Sequence, residues 1–325
     1  MKKILILILV VLIVIFGVVY TKDKSSDQPE TNIVKIGYVP LVHGLPLFLA
    51  VEKGYFTEVG LEVEPIRFEA PNQLIDALLN GQIDLGAPGA ATGITMIAES
   101  KQPGSFKIFA GNGSDENHIT ESIIVKKNST IGSINDLKGK KVGIFPGIQW
   151  RTISKEIFAK NNLSTDTDVT LVELAIPLQV QALESGQVDA VIALEPVVTI
   201  ATSKGIAKVL VPSPAMKYIA APFYGGVGNI STTFLNQSPD TTRKVVAVFK
   251  KATEEINADP DSARVFLKGY TPLDADLSKI VTLPFFKMYT DFSAQDISAI
   301  QKFVDIFYEN KIIETKVDVE NVIYK

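Results

Sequence analysis

The sequence predicts an α/β fold of two similar lobes facing each other across a cleft, behind an N-terminal membrane segment. Two observations carry the paired lobes. The octet Ala77-Leu-Leu-Asn-Gly-Gln-Ile-Asp84 returns about a hundred residues later as Ala182-Leu-Glu-Ser-Gly-Gln-Val-Asp189. Each copy sits in the same helix-Gly-strand phrase: Leu74, Ala77 and Leu78, like Val180, Ala182 and Leu183, fall at helical spacing on one face. Gly81 and Gly186 then stop the helices where a left-handed residue is needed, and short apolar runs follow, Ile83-Asp-Leu85 and Val188-Asp-Ala-Val-Ile192. The third observation is the chain start. Met1-Lys-Lys3 precedes a run from Ile4 to Tyr20 without a charge, which would span roughly 25 Å as a helix at about 1.5 Å per residue.

That run is longer than the core of a cleavable signal, and Gly17-Val-Val-Tyr20 lacks an A-x-A pattern, so residues 1–20 read as an uncleaved anchor, with a cleaved signal segment the alternative. Lys2 and Lys3 place the N-terminus in the cytoplasm and the folded part on the extracytoplasmic face. Residues 21–32, with Ser25-Ser-Asp-Gln-Pro29, carry no apolar periodicity and read as a tether.

From Ile33 the elements follow in order. Ile33–Tyr38 is a strand, Leu47–Lys53 a helix stopped by Gly54, and Leu61–Ile66 an alternating strand, a βαβ opening. After the helix and strand of the first octet, Gly86-Ala-Pro-Gly-Ala-Ala-Thr92 reads as a strand-end turn with a helix starting near Ala90. Gly111-Asn-Gly-Ser-Asp-Glu-Asn117 reads as a turn-rich first crossing between lobes, followed by strand Ser122–Lys126. Lys141–Phe145 is a strand opening through Pro146-Gly147 into a helix near Gln149–Lys160; Gly225-Gly226 and a strand around Val227–Ser231 return the chain. Beyond Ser238-Pro239 the chain reads as helical to its end, with apolar stripes Val245, Val248, Phe249, Ala252, Ile256 and Ile297, Ile300, Val304, Phe307, the second capped by Ser293 and Asp296. One lobe therefore comprises residues 33–118 and 226–325, the other 119–225.

Composition excludes several function classes. The chain has 325 residues and a formal charge of −4, and it lacks any basic block beyond pairs such as Lys140-Lys141, so nucleic acid is not the partner. It has no cysteine, which rules out disulfides, a thiolate metal site, a cysteine nucleophile and a thioether-linked lipid; with only two histidines, His43 and His118, no metal-ligand spacing exists. No cofactor motif, P-loop, Gly-x-Ser-x-Gly elbow or His-Glu-x-x-His occurs.

Ile36-Gly-Tyr38, Leu47-Phe-Leu-Ala-Val-Glu-Lys-Gly-Tyr-Phe56, Gly60-Leu-Glu-Val63, Asp136-Leu-Lys-Gly-Lys-Lys-Val142 and Gly186-Gln-Val-Asp-Ala190 resemble the substrate-binding proteins of ABC importers over residues 33–310. The likeness points to the branch serving aliphatic sulfonates, taurine, nitrate and thiamine-precursor pyrimidines (NMT1-like). The resemblance implies a type II periplasmic-binding-protein fold, two α/β lobes joined by a two-crossing hinge that closes on one small molecule and hands it to a permease and its ATPase. It implies a monomer and no catalytic residue. Two other readings stay open: a ligand-binding sensor component, and an enzyme of the thiamine-pyrimidine synthase type on the same fold, whose histidine and cysteine chemistry a cysteine-free chain fits poorly.

Candidate ligand-binding residues cluster at strand ends, where open α/β sheets bind ligands. Gly147, Gln149, Trp150, Arg151 and Thr152 open a helix whose free amides suit an anion or carbonyl. Arg151 reads either as a bidentate clamp or as a solvated helix arginine, and Trp150, the single tryptophan, as a stacking wall or a packed surface aromatic. Tyr38 ends the first strand. The loop Val39-Pro-Leu-Val-His-Gly-Leu-Pro46 that follows resembles the family's ligand-contacting loop, which brings in His43 and Gly44. Pro88, Gly89 and Ala90 offer small residues that a ligand or an opposing backbone can approach. Glu195 suits an ammonium, amidine or aminopyrimidine, or else pairs with Arg151; Tyr224 is placed to close over the ligand.

Overall fold

The computed structural model describes residues 33–325; the expected anchor, residues 1–20, and tether, residues 21–32, lie outside them. Among the described residues eleven strands form two sheets. The first is ordered β11-β4-β10-β3-β1-β2 and the second β7-β6-β8-β5-β9. In the first, β1 (Val34–Tyr38), β2 (Val63–Arg67) and β3 (Leu85–Ala91) are parallel and joined through helices Leu45–Glu52 and Pro71–Leu79, whereas β4 (Phe106–Ser114), β10 (Phe223–Ser231) and β11 (Phe285–Met288) run antiparallel to their neighbours. In the second, β6 (Lys140–Ile144) lies parallel to β7 (Val169–Glu173) and β8 (Ala190–Leu194), with helices Ile148–Ala159 and Ile176–Ser185 in the connections. β5 (Glu121–Lys126) pairs antiparallel with β8 and with β9 (Ala207–Pro212). The chain leaves the first sheet at Ser114, joins the second at Glu121 and rejoins the first at Phe223.

The repeated octet has one physical job in both sheets. Gly81 and Gly186 take left-handed φ of 66° and 83° and end their helices. The Asp84 carboxylate accepts the Lys35 amide at 2.8 Å and the Asp189 carboxylate accepts the Lys141 amide at 2.9 Å. Their own amides donate to the carbonyls of the same two lysines. Each aspartate thus docks an incoming strand beside the first strand of its unit. For that reason β3 and β8 start later than their apolar runs suggest, at Leu85 and Ala190, with Ile83-Asp84 and Val188-Asp189 as lead-ins.

Two small-residue segments expected as turns are strands. Gly86–Ala91 belongs to β3, and the helix starts at Thr92 rather than near Ala90. A Cβ on Gly86 would sit 2.2 Å from the Asn229 Oδ1 of β10. Gly111-Asn-Gly113 lies in β4, where a Cβ on Gly113 would fall 1.8 Å from the Phe223 carbonyl. The small side chains let neighbouring backbones approach within the sheet. The helical reading of the C-terminal part misses β11, a four-residue edge strand on β4.

The expected apolar stripes are core. Val245, Val248, Phe249, Ala252 and Ile256 are buried on helix Pro239–Ala258, with Phe249 against Phe56 and Phe109. Ile300, Val304 and Phe307 are buried on helix Ala294–Glu309, and Ile297 packs at their edge. The capping box of Ser293 and Asp296 opens that helix. Among the described residues no helix is long and apolar enough to cross a membrane.

Candidate ligand-binding site

A cavity of about 20 Å³, room for one water-sized group, lies where strand ends of the two sheets meet. The first sheet supplies Leu41 and His43 from the turn after β1, Gly89 and Ala91 of β3, and Phe223, Gly225 and Gly226 of β10. The second supplies Glu121 at the head of β5, Phe145 just after β6, Gln149 and Trp150 on the first turn of helix Ile148–Ala159, and Leu194 at the end of β8. Successive strand residues point to opposite faces. Gly89 and Ala91 therefore line the cavity, while Ala90 is buried in the core beside the sheet.

Gln149 spans the two sheets. Its Oε1 accepts the Gly93 amide, in the first turn of helix Thr92–Lys101, at 2.6 Å, and its Nε2 donates to the Gly225 carbonyl at 3.0 Å. The side-chain amide thus takes up a donor at a helix start that would otherwise face an incoming acceptor.

No lysine or arginine lines the cavity; its two ionisable groups are His43 and Glu121. Burial lowers the His43 imidazole to about 4, so the ring is neutral, and its Nδ1 has no hydrogen-bond partner. Burial raises the Glu121 carboxyl to about 7 against the Ser114 and Thr120 hydroxyls, which both donate to Oε2, and against the nearby Met216 and Ala215 amides. Those two amides stand at the start of helix Pro214–Tyr218, and Oε1 is buried.

Of the sequence candidates, the structure brings His43, Gly89, Gln149 and Trp150 to the cavity wall. Several others it places elsewhere. Arg151 points outward: its guanidinium donates to Glu173 of β7 at 3.0 and 2.5 Å in an exposed pair, so it neither lines the cavity nor meets Glu195. One residue beyond Trp150, the helix has turned about 100° and faces solvent. Glu195 is buried, and its carboxylate accepts the Thr199 amide and hydroxyl, each at 3.0 Å, at the start of helix Val197–Ser203. It serves as an N-terminal partner of that helix.

Tyr224 is fully buried and donates to Asp296 at 2.7 Å, a side chain fixed in the core where closing over a ligand was expected; its neighbour Phe223 lines the cavity instead. Tyr38 packs edge-on against Phe48 and Tyr270. Thr152 donates back to the Ile148 carbonyl at 2.8 Å, and Gly44 sits on the Phe48 ring. Pro88 lies within β3, and Gly147, at φ 111°, precedes the helix without lining the cavity. His118 pairs with Asp115 at 2.7 Å in the segment linking β4 to β5. Sequence reasoning missed Pro71, Thr120, Glu121 and Phe145, while Leu41 and Leu194 lie in the loop and strand end it had directed to the cleft. One signal existed: Glu121 is an acid opening the apolar run Ser122-Ile-Ile-Val125.

A family model described as NMT1/THI5 like matches residues 43–263. The chain belongs to the NMT1/THI5-like family. It is 26% identical over 330 residues to a Bacillus subtilis protein named as an aliphatic sulfonates-binding protein, covering 99% of this chain and 95% of that one. It is 25% identical over 256 residues to a 4-amino-5-hydroxymethyl-2-methylpyrimidine phosphate synthase of Saccharomyces cerevisiae, covering 75% of this chain and 72% of that one. Among solved structures, the alkanesulfonate-binding protein of Xanthomonas axonopodis bound to MOPS superposes with a TM-score of 0.72 at 22% identity, over 90% of this chain and 97% of that one. The periplasmic nitrate-binding protein of Synechocystis gives 0.70 at 15% identity, over 90% and 85%. The fold of this family member is that of periplasmic binding proteins.

Proposed function

We propose that the chain is an extracytoplasmic solute-binding protein of an ABC importer, a monomer that captures one small anionic or heteroaromatic metabolite by hinge closure between two α/β lobes and delivers it to a permease and its ATPase. The observation that carries this reading is the cavity itself, walled from both sheets, with Gln149 bonded across it. The two links between sheets, 115–120 and 213–222, are the place for the hinge, and residues 33–114 with 223–325 and 121–212 are its two bodies. The charge-free run Ile4–Tyr20 fits a membrane tether that keeps the domain near its permease. Relatives named as binding proteins match nearly the whole chain and the synthases three quarters of it, and the absence of cysteine further disfavours a synthase.

Trp150 lines the cavity and is the single tryptophan, so its fluorescence reports the site directly. Alkanesulfonates, taurine, nitrate, bicarbonate, aminopyrimidines and flavins are titrated while emission and melting temperature are followed. Ligand at about 100 times its Kd stabilises the fold by roughly 2.7 kcal/mol. Capture predicts a saturable emission change and a raised Tm with one class; a folded protein indifferent to every class rejects the reading.

A further inference from the structure

Both crossings between the sheets are braced by one acidic residue that also faces the cleft. We propose that Glu121 is a positioning residue of the hinge and makes it proton-linked: the closed cleft favours the protonated carboxyl, and ionisation favours opening. The inference rests on the hinge-closure reading above.

Glu121 heads β5, where the first crossing ends. Its Oε2 accepts the hydroxyls of Ser114, the last residue of β4 in the other sheet, and of Thr120. Its backbone carbonyl accepts the Ser213 amide at 2.9 Å, where the second crossing begins, and the Ala215 and Met216 amides of that crossing stand by the carboxyl. Beyond these contacts the crossings part around a chamber of about 350 Å³, lined by Asp115 and Asn117 of the first and Met216 and Pro222 of the second. The same side chain, 2% exposed, lines the cleft cavity.

No cation stands beside the carboxyl. Across the cavity His43 is neutral, and Glu195, just beyond β8, is bonded to Thr199. In the first crossing Asp115 and His118 pair with each other and Glu116 is exposed; in the second, Lys217 lies over the Tyr218 ring. Lys107 of β4 and Lys208 of β9 sit at the far ends of their strands, bonded to the Asn321 and Ser129 carbonyls. Burial without a cation disfavours the ionised form and raises the carboxyl to about 7. Hydroxyls accept as readily as they donate, so Ser114 and Thr120 hold either state. Once the lobes part, water reaches the carboxyl and returns it toward the ordinary 4.5. The closed form then binds the proton more tightly, so this contribution to closure is full below 4.5, falls progressively as pH rises and is gone past about 7. Between pH 6 and pH 8 it amounts to about tenfold in the closed-to-open ratio. His43, lowered by burial to about 4, works the other way below 6.5.

Hydrogen exchange at the Gly93 amide reads that ratio, because the amide is bonded to Gln149 across the cleft and exchanges when the cleft opens. The full chain and the isosteric Glu121→Gln variant are compared without solute at equal pH, which cancels the intrinsic exchange rate and the share of His43. The rate in the parent relative to Glu121→Gln is expected to rise about tenfold from pH 6 to pH 8. Glu195→Gln, whose carboxyl is also raised to about 7 but whose side chain braces neither crossing, is expected to keep the parental rise. A ratio that stays constant over this range overturns the assignment, and so does loss of the rise in Glu195→Gln. If Glu121→Gln fails to fold, Ser114→Ala decides: it removes a hydroxyl that favours the ionised carboxyl and is expected to move the rise to higher pH, and an unmoved profile overturns the assignment. None of these measurements uses a solute, so their failure leaves capture standing, whereas a silent solute panel removes capture itself.

Discussion

The Gln149 carboxamide accepts the Gly93 amide at 2.6 Å from a helix that belongs to the other sheet, and its nitrogen reaches the Gly225 carbonyl at 3.0 Å. One side chain therefore holds the cleft shut from the second sheet while filling the donor site at the start of helix Thr92–Lys101.

Replacing Gln149 by Ala leaves a backbone donor and a backbone acceptor unpaired in the closed cleft, at about 1–3 kcal/mol for each such group. Water satisfies both if the cleft opens, so the variant is expected to rest open. Small-angle scattering checks this: the Gln149→Ala chain shows a larger radius of gyration than the parent in the absence of ligand. Equal radii would mean that the latch does not set the closed geometry.

Arg151 and Glu173 form an exposed pair, the guanidinium side chain 56% and the carboxylate side chain 36% accessible. Surface pairs of this kind are worth about 0–1 kcal/mol. Arg151→Ala is expected to leave ligand affinity unchanged and to lower stability by no more than that amount, measured by titration calorimetry and urea melts. A tenfold loss of affinity would restore the cleft role that the sequence suggested.

Two buried carboxyls, Glu121 and Glu195, are raised by burial from 4.5 to about 7. For a carboxyl raised on folding, the native state binds the extra proton, so its contribution is fully present below 4.5, falls progressively as pH rises from there, and is gone once pH has passed about 7. His43 acts oppositely: its value falls from 6.5 to about 4, which costs stability as pH drops through that window. Asp296, held down to about 2 despite its burial by Ser293, Tyr224 and Lys287, keeps its contribution above 3.8 and loses it as pH falls toward 2. Above pH 6.5 only the two glutamates titrate among these four. Stability is therefore expected to fall between pH 6.5 and 8, and Glu195→Gln to flatten that decline. Denaturant melts at pH 6.5 and pH 8 measure it, the change from one such group over that interval being about 1 kcal/mol of the roughly 3 kcal/mol that its full shift carries. A decline of equal slope in the variant would remove Glu195 from the account.

Local patterns that need no partner were legible in the chain. The two octets fixed a helix, a left-handed glycine stop and an incoming strand in each half, because helical spacing and the φ freedom of glycine at Gly81 and Gly186 act within a few residues. The stripes on helices Pro239–Ala258 and Ala294–Glu309, with the Ser293–Asp296 box, were fixed in the same way. The role of the two aspartates was not, since each bonds to an amide nearly fifty residues away. Small residues were ambiguous for a related reason. Gly86 and Gly113 carry the composition of turns, and only the approach of Asn229 and of the Phe223 carbonyl makes them strand residues.

The candidate site divides along the same line. Loop chemistry drew attention to His43, and the strand-to-helix junction to Gln149 and Trp150, all three on the cavity wall. The direction in which a side chain points was beyond the sequence. Trp150 and Arg151 are neighbours, yet helical geometry buries one in the cleft and sends the other to Glu173. The sequence by itself determined the elements, the paired α/β units and the region of the cleft, because these follow from short-range periodicity and backbone preference. Only the tertiary structure decided that Glu121 lines the cavity: Glu195 finds its donors four residues on, at Thr199, whereas the wall that Glu121 joins is assembled from segments distant in the chain, and no spacing encodes that.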